Sequence, residues 1–339
     1  MTDVLALTAE ELREYIINLG GQRYRADQLI NGLKRGKRPR DVDVLPKELR
    51  EKLDADVPFC DIEKVFVSTD GTMKFLFRLF DGNLIESVLM RYEHGNTVCL
   101  STECGCAMGC RFCATGTLGL IRRLTVTEIF TQASVIAAYS GERISNVVLM
   151  GMGEPLDNYD NTVKFIRFAA SENGLGIGMR HISLSTCGLV DGIKRLAGED
   201  LQITLSLSLH AADDETRSAM MPINKKWGVA ETLKACREYY GVSKRRIAFE
   251  YALVKDKNDS PAYADRLASA LHKYCPDMPL YVNLIPVNPV EGSGCRSVDR
   301  AAVAAFSERL GRRGVTCTVR RRLGNDISAS CGQLAAKNR

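Results

Sequence analysis

Three cysteines, Cys106, Cys110 and Cys113, lie within the string CGCAMGCRFCATG in the spacing C-x3-C-x2-C. Three thiolates this close together can bind three irons of a [4Fe–4S] cluster and leave the fourth iron open to another ligand. A structural zinc site instead closes four protein ligands around its metal. The spacing therefore predicts a reactive iron–sulfur site on this loop.

A zinc site remains an alternative for the same loop, because Cys104 or a distant histidine could supply a fourth ligand. Only one residue separates Cys104 from Cys106. That short separation argues against Cys104 as a ligand, and its role stays open.

A second candidate site is the string MGMGEPLDN, which contains Gly151, Gly153 and Glu154. Glycines allow a ligand to approach the backbone closely, and a glutamate carboxylate can accept hydrogen bonds from an ammonium group. A tight turn also explains the glycines. Because the string follows the cysteine loop by one β/α unit, we interpret it as part of a ligand site.

Polar residues recur at the ends of later strand-like runs: Ser185, Ser208, His210 and Asn288. Parallel strands deliver such residues to one rim of a sheet. A single buried histidine is more often structural, but several polar strand ends on the cluster side favour a shared binding site.

The elements that must position these residues alternate between strand-like and helical patterns from about residue 95 to 310. The helical patterns include 127–140, 160–171 and 298–312. Such alternation predicts an α/β fold with a parallel sheet, and six units could close into a partial barrel. A curved barrel and an open doubly wound sheet both remain possible, since both place ligand loops at the carboxyl ends of the strands.

The rest of the chain has other patterns. Thr8, three residues before Glu11, is typical of a helix N-cap, and the turn signals DGT and DGN separate short β-rich runs. We therefore predict four segments: a helical accessory domain at 1–55, a β-meander extension at 56–94, the barrel at 95–310, and a C-terminal strand and tail at 311–339.

Composition limits the class of protein. The 339 residues are 45% apolar, and the N-terminus is acidic where a signal peptide would be basic. No apolar run is long enough to cross a membrane, so we expect a cytoplasmic protein. Its 12 cysteines are better explained there by metal or thiol chemistry than by disulfides.

The net charge of +5 is too small to imply a polyanionic partner. Basic clusters could nevertheless bind phosphates if they share a face, although each alone is more often solvated surface. The clusters are Lys34 to Arg40, Arg122–Arg123, Lys225–Lys226, Lys244–Arg246, Arg312–Arg313 and Arg320–Arg322.

Together, STECGCAMGCRFCATG, MGMGEPL, LSLSLHA with MPIN, LIPVNP and ISASCGQLA resemble the RlmN/Cfr family of RNA-methylating radical S-adenosylmethionine (SAM) enzymes, in order over roughly residues 5–335. The resemblance implies a partial (β/α)6 radical SAM barrel with an N-terminal helical domain and a small β extension. It also implies one [4Fe–4S] cluster on the three loop cysteines, with SAM on the open iron.

Residue by residue, the resemblance places the following around SAM: Gly153, Glu154, Ser185, Ser208, Leu209, His210 and Asn288. Met152 would line the active site. Cys331 would carry the methyl group, Cys99 would be its partner thiol, and Glu86 would accept a proton. From the residues alone, the favoured interpretation of Cys99 is a small buried hydrophobe on a core strand.

The implied mechanism uses two SAM molecules. Cys331 takes a methyl group from one, and the 5′-deoxyadenosyl radical from the other removes a hydrogen from that S-methyl group. The carbon radical adds to adenine. Release needs loss of the ring proton to Glu86 and attack by Cys99 on the Cys331 sulfur, which leaves a disulfide.

GEPL and LIPVNP favour the family's C2 methylation, on an adenosine of large-subunit (23S) ribosomal RNA and an anticodon-loop adenosine of tRNA. C8 methylation of the Cfr type is the alternative, because CGCxxGCxFCATG also occurs in Cfr-like members. A flavodoxin or ferredoxin would donate electrons to a monomeric enzyme. Two rivals remain: a non-catalytic, zinc-stabilised RNA-binding module, and a radical SAM enzyme acting on a small molecule.

Overall fold

The computed structural model describes residues 1–288, 290 and 293–335. Pro289 of the LIPVNP motif and residues 336–339 of the predicted C-terminal segment lie outside the described residues. Among the helices described, none has the length and apolar character needed to span a bilayer.

Three helices open the chain: α1 at Ala9–Asn18, α2 at Arg25–Lys34 and α3 at Lys47–Asp56. The predicted N-cap of α1 is confirmed, because the Thr8 hydroxyl accepts from the Glu11 N–H and the Glu11 carboxylate accepts from the Thr8 N–H. This reciprocal pair satisfies two backbone donors at the helix start.

An antiparallel meander follows, with β1 at Asp61–Val67, β2 at Met73–Arg78 and β3 at Leu84–Tyr92. Strand β4 at Gly95–Cys99 pairs antiparallel with β3. On its other edge β4 pairs in parallel with the next strand of the main sheet. The meander therefore extends that sheet directly.

Eight further strands follow: β5 Glu103–Cys106, β6 Gly119–Arg123, β7 Ile144–Leu149, β8 Ile182–Thr186, β9 Thr204–Ser208, β10 Ile247–Leu253, β11 Tyr281–Pro286 and β12 Thr316–Val319. Strands β5 and β6 form a separate hairpin. The others continue the sheet in the order β4-β7-β8-β9-β10-β11-β12, all parallel. A doubly wound sheet would reverse its strand order at a switch point, so the sequential order selects the barrel-like alternative. The predicted α/β fold is confirmed.

The helices of the main domain are α4 Val126–Ser140, α5 Tyr159–Ala170, α6 Val190–Ala197, α7 Asp214–Met220, α8 Val229–Ser243, α9 Pro261–Tyr274 and α10 Arg300–Arg312. Neighbours pack side by side, α6 on α8, α8 on α9 and α9 on α10. Helix α2 packs on α4, which attaches the N-terminal helices to the outer layer.

Alternation along the parallel strands separates two faces. Leu184, Leu205 and Phe249 are fully buried apolar residues of one face. Ser206 and Glu250 belong to the other face, which lines an interior cavity. The small or polar residues of this inner face leave the space that the functional site occupies.

Candidate active site

Two adjoining cavities meet at the carboxyl ends of the parallel strands. The first, of about 160 Å³, is lined by all three loop cysteines and is called the cluster cavity. The second, of about 570 Å³, runs inside the sheet, is lined by Cys99 and Asn283, and is called the barrel cavity. Cys113 and Cys331 line both, so the two cavities share a wall.

The hairpin β5–β6 holds the cysteine loop. Cys106 ends β5, and the Cys113 N–H donates to the Cys110 carbonyl at 3.1 Å. Burial raises the pKa of the Cys106 thiol to about 12 and also raises the pKa values of Cys110 and Cys113. Without metal these thiols hold their protons, which iron would have to displace.

The donor set fits an iron–sulfur cluster, since three thiols share one cavity wall with open space beside them. In the part of the chain that the structure describes, no three Cys, His, Asp or Glu side chains are grouped closely enough for a single metal ion. Cys104 is buried outside this wall, where its Sγ donates to the Leu84 carbonyl at 3.6 Å. This placement removes the nearest candidate for a fourth zinc ligand.

The Gly-Glu string forms the loop after β7. Gly153 has φ +100°, and an added Cβ would lie 2.6 Å from the Glu103 Cβ, so only glycine fits there. The Glu154 carboxylate is buried and accepts from the Cys187 N–H at 2.8 Å and the Leu156 N–H at 3.1 Å. Burial raises the pKa of Glu154. Both Gly153 and Glu154 line the cluster cavity, and their role in ligand binding stays a prediction.

Three predicted SAM residues at strand ends also meet in the cluster cavity. The Ser185 and Ser208 hydroxyls lie 3.4 Å apart. The His210 Nδ1 accepts from the Ala252 N–H at 2.9 Å, and the His210 ring packs edge-on against Phe112. Burial, with the nearby charges of Arg217 and Arg320, lowers the pKa of His210 to about 3. The imidazole is therefore neutral, with its proton on Nε2.

Two predicted residues lie elsewhere. The Leu209 side chain is fully buried in the core, and its carbonyl accepts from the Arg217 Nε at 3.0 Å. Met152 is buried, and its sulfur accepts from the Glu86 N–H at 3.3 Å. Met150 instead lines both cavities. The loop turns at its glycines and carries Met152 out of the wall.

Asn288 of the barrel cavity contacts the C-terminal tail at the shared wall. The Asn288 Nδ2 donates to the Cys331 carbonyl at 3.2 Å. Its buried Oδ1 has no hydrogen-bond partner within the described residues, and Asn288 lines the barrel cavity. An unpaired buried acceptor is costly, so this atom is available for a ligand donor. The Gly332 carbonyl accepts from the Ala114 N–H at 2.7 Å, which ties the tail to the cysteine loop.

Cys331 is exposed, whereas Cys99 at the end of β4 is buried. Both line the barrel cavity. Burial, with a smaller contribution from the charge of Cys331, raises the pKa of Cys99 to about 12. Cys99 is thus both a buried strand residue and a neighbour of the tail thiol.

Glu86 on β3 lies beneath the tail. Its carboxylate forms an ion pair with Lys74, Nζ to Oε1 3.0 Å, and accepts from the Ala335 N–H at 2.8 Å. Both side chains of the pair are almost fully buried. In this arrangement Lys74 and the tail backbone contact both carboxylate oxygens.

Three charged residues at the site were not singled out from the sequence. Arg217 is fully buried and donates to the carbonyls of Cys187 and Leu209 at the ends of two strands. Glu250 and Arg320 lie in the walls of both cavities. In the sequence Arg320 is one residue of a basic triplet, and no local pattern separates an inward arginine from a solvated one.

Residues 100–264 match the model of the radical SAM superfamily. The fold also matches the crystal structure of a radical SAM methyltransferase from Sphaerobacter thermophilus, with a TM-score of 0.90, 41% identity, and coverage of 98% of this chain and 99% of that one. The fold and the cysteine loop thus define a radical SAM enzyme.

Curated proteins similar to this chain identify its family among the radical SAM enzymes. A protein of Clostridium botulinum (strain Alaska E43 / Type E3) is 47% identical over 98% of this chain and 96% of its own length. A protein of Pelotomaculum thermopropionicum is 46% identical over 99% of this chain and 92% of its own length. Each is named "Probable dual-specificity RNA methyltransferase RlmN". The chain belongs to the RlmN family of radical SAM methyltransferases.

Proposed function

We propose that this enzyme methylates C2 of a specific adenosine in large-subunit ribosomal RNA, and of an anticodon-loop adenosine in tRNA, with Cys331 as the methyl carrier. One observation supports this most directly: Cys331 lines the wall that the cluster cavity and the barrel cavity share. A thiol there faces both a candidate SAM site and a candidate substrate site. The names of the RlmN relatives support RNA as the substrate.

Cys106, Cys110 and Cys113 would hold one [4Fe–4S] cluster. The residues that would surround SAM are Gly153, Glu154, Ser185, Ser208, His210 and Asn288. When bound, the cluster and SAM supply an electron and a carbon-centred radical to the site. The neutral His210 and the buried carboxylate of Glu154 give this pocket one donor and one acceptor of fixed orientation.

Three residues would then handle sulfur and proton transfer. Cys331 accepts the methyl group on its sulfur. Cys99 later attacks that sulfur, and its place in the same cavity supports this role. Glu86 takes the ring proton once the tail, bonded through Ala335, has moved away from its carboxylate.

The same proposal includes the enzyme's partners. The substrate would enter the barrel cavity, whose lining includes Arg180, Arg246 and Arg321. A flavodoxin or ferredoxin would supply electrons to a monomer in the cytoplasm. C8 methylation is the second candidate, and the product nucleoside distinguishes it.

The test is mass spectrometry of anaerobically reconstituted enzyme incubated with SAM, a reductant and large-subunit ribosomal RNA. We expect a methyl group on Cys331 and 2-methyladenosine in the RNA. 8-Methyladenosine would overturn the C2 assignment. Absence of methyl groups from both Cys331 and RNA, in protein with full iron–sulfur absorbance, would overturn the proposal.

Variants of Cys331 and Cys99 distinguish the methyl carrier from its partner thiol. Cys331→Ala should abolish RNA methylation, whereas Cys99→Ala should leave Cys331 methylated and accumulate protein covalently joined to RNA. Cys317→Ala, in a half-buried thiol on β12, is the matched control and should methylate RNA at the wild-type rate. Free RNA product from Cys99→Ala at the wild-type rate would contradict the role of Cys99.

A further inference from the structure

We propose that Arg320 is a positioning residue for Cys331: its guanidinium donates a hydrogen bond that orients the Cys331 sulfur at the wall between the two cavities, and Glu250 holds the guanidinium. The use of that sulfur in methyl transfer rests on the proposed function. The hydrogen bond between Arg320 and Cys331 does not depend on that function.

The three side chains form a short chain of polar contacts. The Arg320 Nη1 donates to the Cys331 Sγ at 2.8 Å. The Arg320 Nη2 lies 3.2 Å from the Glu250 Oε2, which also accepts from the Asn283 Nδ2 at 3.0 Å. The Glu250 side chain is only 5% exposed. Charge-assisted hydrogen bonds in such a setting are shorter and stronger than neutral ones.

Strand register places Arg320 there. Glu250 on β10 pairs with Asn283 on β11, and Asn283 pairs with Thr318 on β12. Arg320 follows Thr318 by two residues, and its N–H donates to the Leu284 carbonyl at 2.9 Å. A spacing of two returns the side chain to the same face of the sheet, so Arg320 is directed to Glu250.

The tail brings Cys331 to this arginine. The bond from Asn288 to the Cys331 carbonyl and the bond from Ala114 to the Gly332 carbonyl fix the backbone at Cys331 and directly after it. The Arg320 guanidinium also lies 3.5 Å from the Met150 sulfur. The arginine therefore links the carboxyl end of β7, strand β10 and the tail at one point.

This arrangement suits nucleophilic attack by sulfur. The thiol proton leaves to water, because a guanidinium has no free acceptor position. The thiolate then forms a bond to the methyl carbon of SAM while the bond from that carbon to the sulfonium sulfur breaks, and S-adenosylhomocysteine leaves. The product thioether is uncharged and a weak acceptor. Methylation thus weakens the contact between the Cys331 sulfur and Arg320.

The test measures alkylation of Cys331 by iodoacetamide in reconstituted full-length enzyme without SAM, at one pH, with the Cys331 peptide quantified by mass spectrometry. The thiolate is the reactive form of cysteine. We expect Arg320→Met to slow alkylation roughly tenfold, because the attacking sulfur loses the charge-assisted hydrogen bond that orients it. Arg320→Lys, which keeps the charge, should restore most of the rate. Glu250→Gln should slow alkylation less than Arg320→Met does.

Arg313→Met is the matched control, because Arg313 is exposed and hydrogen-bonded to Ser269 outside both cavity walls. Iron–sulfur absorbance and thermal unfolding confirm that each variant is folded. Equal rates for wild type and Arg320→Met, or equally slow Lys and Met variants, would overturn the inference. Because no RNA is present, failure here is distinguishable from failure of RNA methylation.

Discussion

His210 combines an uncommon backbone with a neutral ring. Its φ is +59°, a left-handed value that asparagine tolerates better than most residues. Its Nδ1 is already used as an acceptor from Ala252, and burial is the main cause of its lowered pKa, about 3. The folded protein thus contains a histidine that remains neutral at pH values where the unfolded chain binds a proton.

This difference predicts a pH-dependent stability. The unfolded pKa is near 6.5 and the folded pKa about 3. Because the unfolded chain binds the extra proton, stability from this residue is complete above pH 6.5 and falls as the pH drops toward 3. Between pH 7 and pH 5 wild type should lose about 2 kcal/mol more unfolding free energy than His210→Asn. Urea titrations at both pH values measure this.

His94→Asn serves as control, since His94 is exposed. Its unfolding free energy should follow the wild-type pH dependence. An identical pH dependence in His210→Asn and wild type would show that His210 is protonated in the folded state.

Candidate site residues could be recognised in the sequence where their chemistry requires a fixed spacing between them. Cys106, Cys110, Cys113 and Glu154 line one cavity because they belong to two compact loops at neighbouring strand ends. Arg320 could not be found this way, since its inward direction depends on the register of β12 with β11. Lys74, the partner of Glu86, depends likewise on the pairing of two strands.

Among the elements, α7 is tied to the sheet by one buried arginine. The Arg217 guanidinium donates to the Cys187 carbonyl at 2.6 Å, the Leu209 carbonyl at 3.0 Å and the Asn224 Oδ1 at 2.9 Å. These carbonyls follow β8 and β9, the strands that end in Thr186 and Ser208. The arginine therefore fixes the loops that carry predicted SAM residues.

Removing the hydrogen bonds of Arg217 should lower the free energy of unfolding. Arg217→Met keeps the apolar bulk but leaves buried carbonyls without a donor, so we expect a loss of about 3 kcal/mol in unfolding free energy. Arg237→Met, at an exposed arginine paired with Asp277, should change it by less than about 0.5 kcal/mol. Guanidinium chloride unfolding compares the two. Similar small losses would mean that α7 is held by apolar packing instead.

Element prediction succeeded for the parallel strands, whose apolar runs are long enough to show burial on both faces. It missed the hairpin β5–β6, because β5 has only 4 residues and contains glycine and cysteine instead of β-branched residues. That pairing depends on Gly105, where a Cβ would lie 1.9 Å from the Gly119 carbonyl oxygen. Such a close approach is a tertiary property that local composition does not show.

Across the whole molecule, basic residues differ in whether an acidic side chain forms an ion pair with them. In the N-terminal run, Lys37 pairs with Asp43, and Arg38 and Arg40 pair with Asp54. Arg180, Arg246 and Arg321 all line the barrel cavity, and among the described residues no carboxylate pairs with them. Arg246 lies over the Tyr281 ring at 4.5 Å, a surface on which a base could also stack. We therefore expect these cavity arginines to attract phosphates more strongly than the N-terminal run does.

This difference predicts how the affinity for RNA depends on salt concentration. Each phosphate contact with single-stranded nucleic acid contributes about 0.7 to the slope of log K against log salt concentration. The double variant Arg180→Gln/Arg321→Gln should bind a ribosomal RNA fragment more weakly, with a slope smaller in magnitude by about 1.4. Fluorescence titrations between about 50 and 200 mM salt measure both quantities.

Lys37→Gln/Arg40→Gln removes the same charge from the N-terminal run and is the matched control. Because acids already neutralise those two cations, their loss should change the slope by much less. The opposite result, a large change for this control and none for the cavity variant, would place the main RNA contact on the predicted accessory domain at 1–55. Equal changes would mean that RNA spans both surfaces. The slope thus measures which part of the molecule contacts the phosphates, independently of where the methyl group is added.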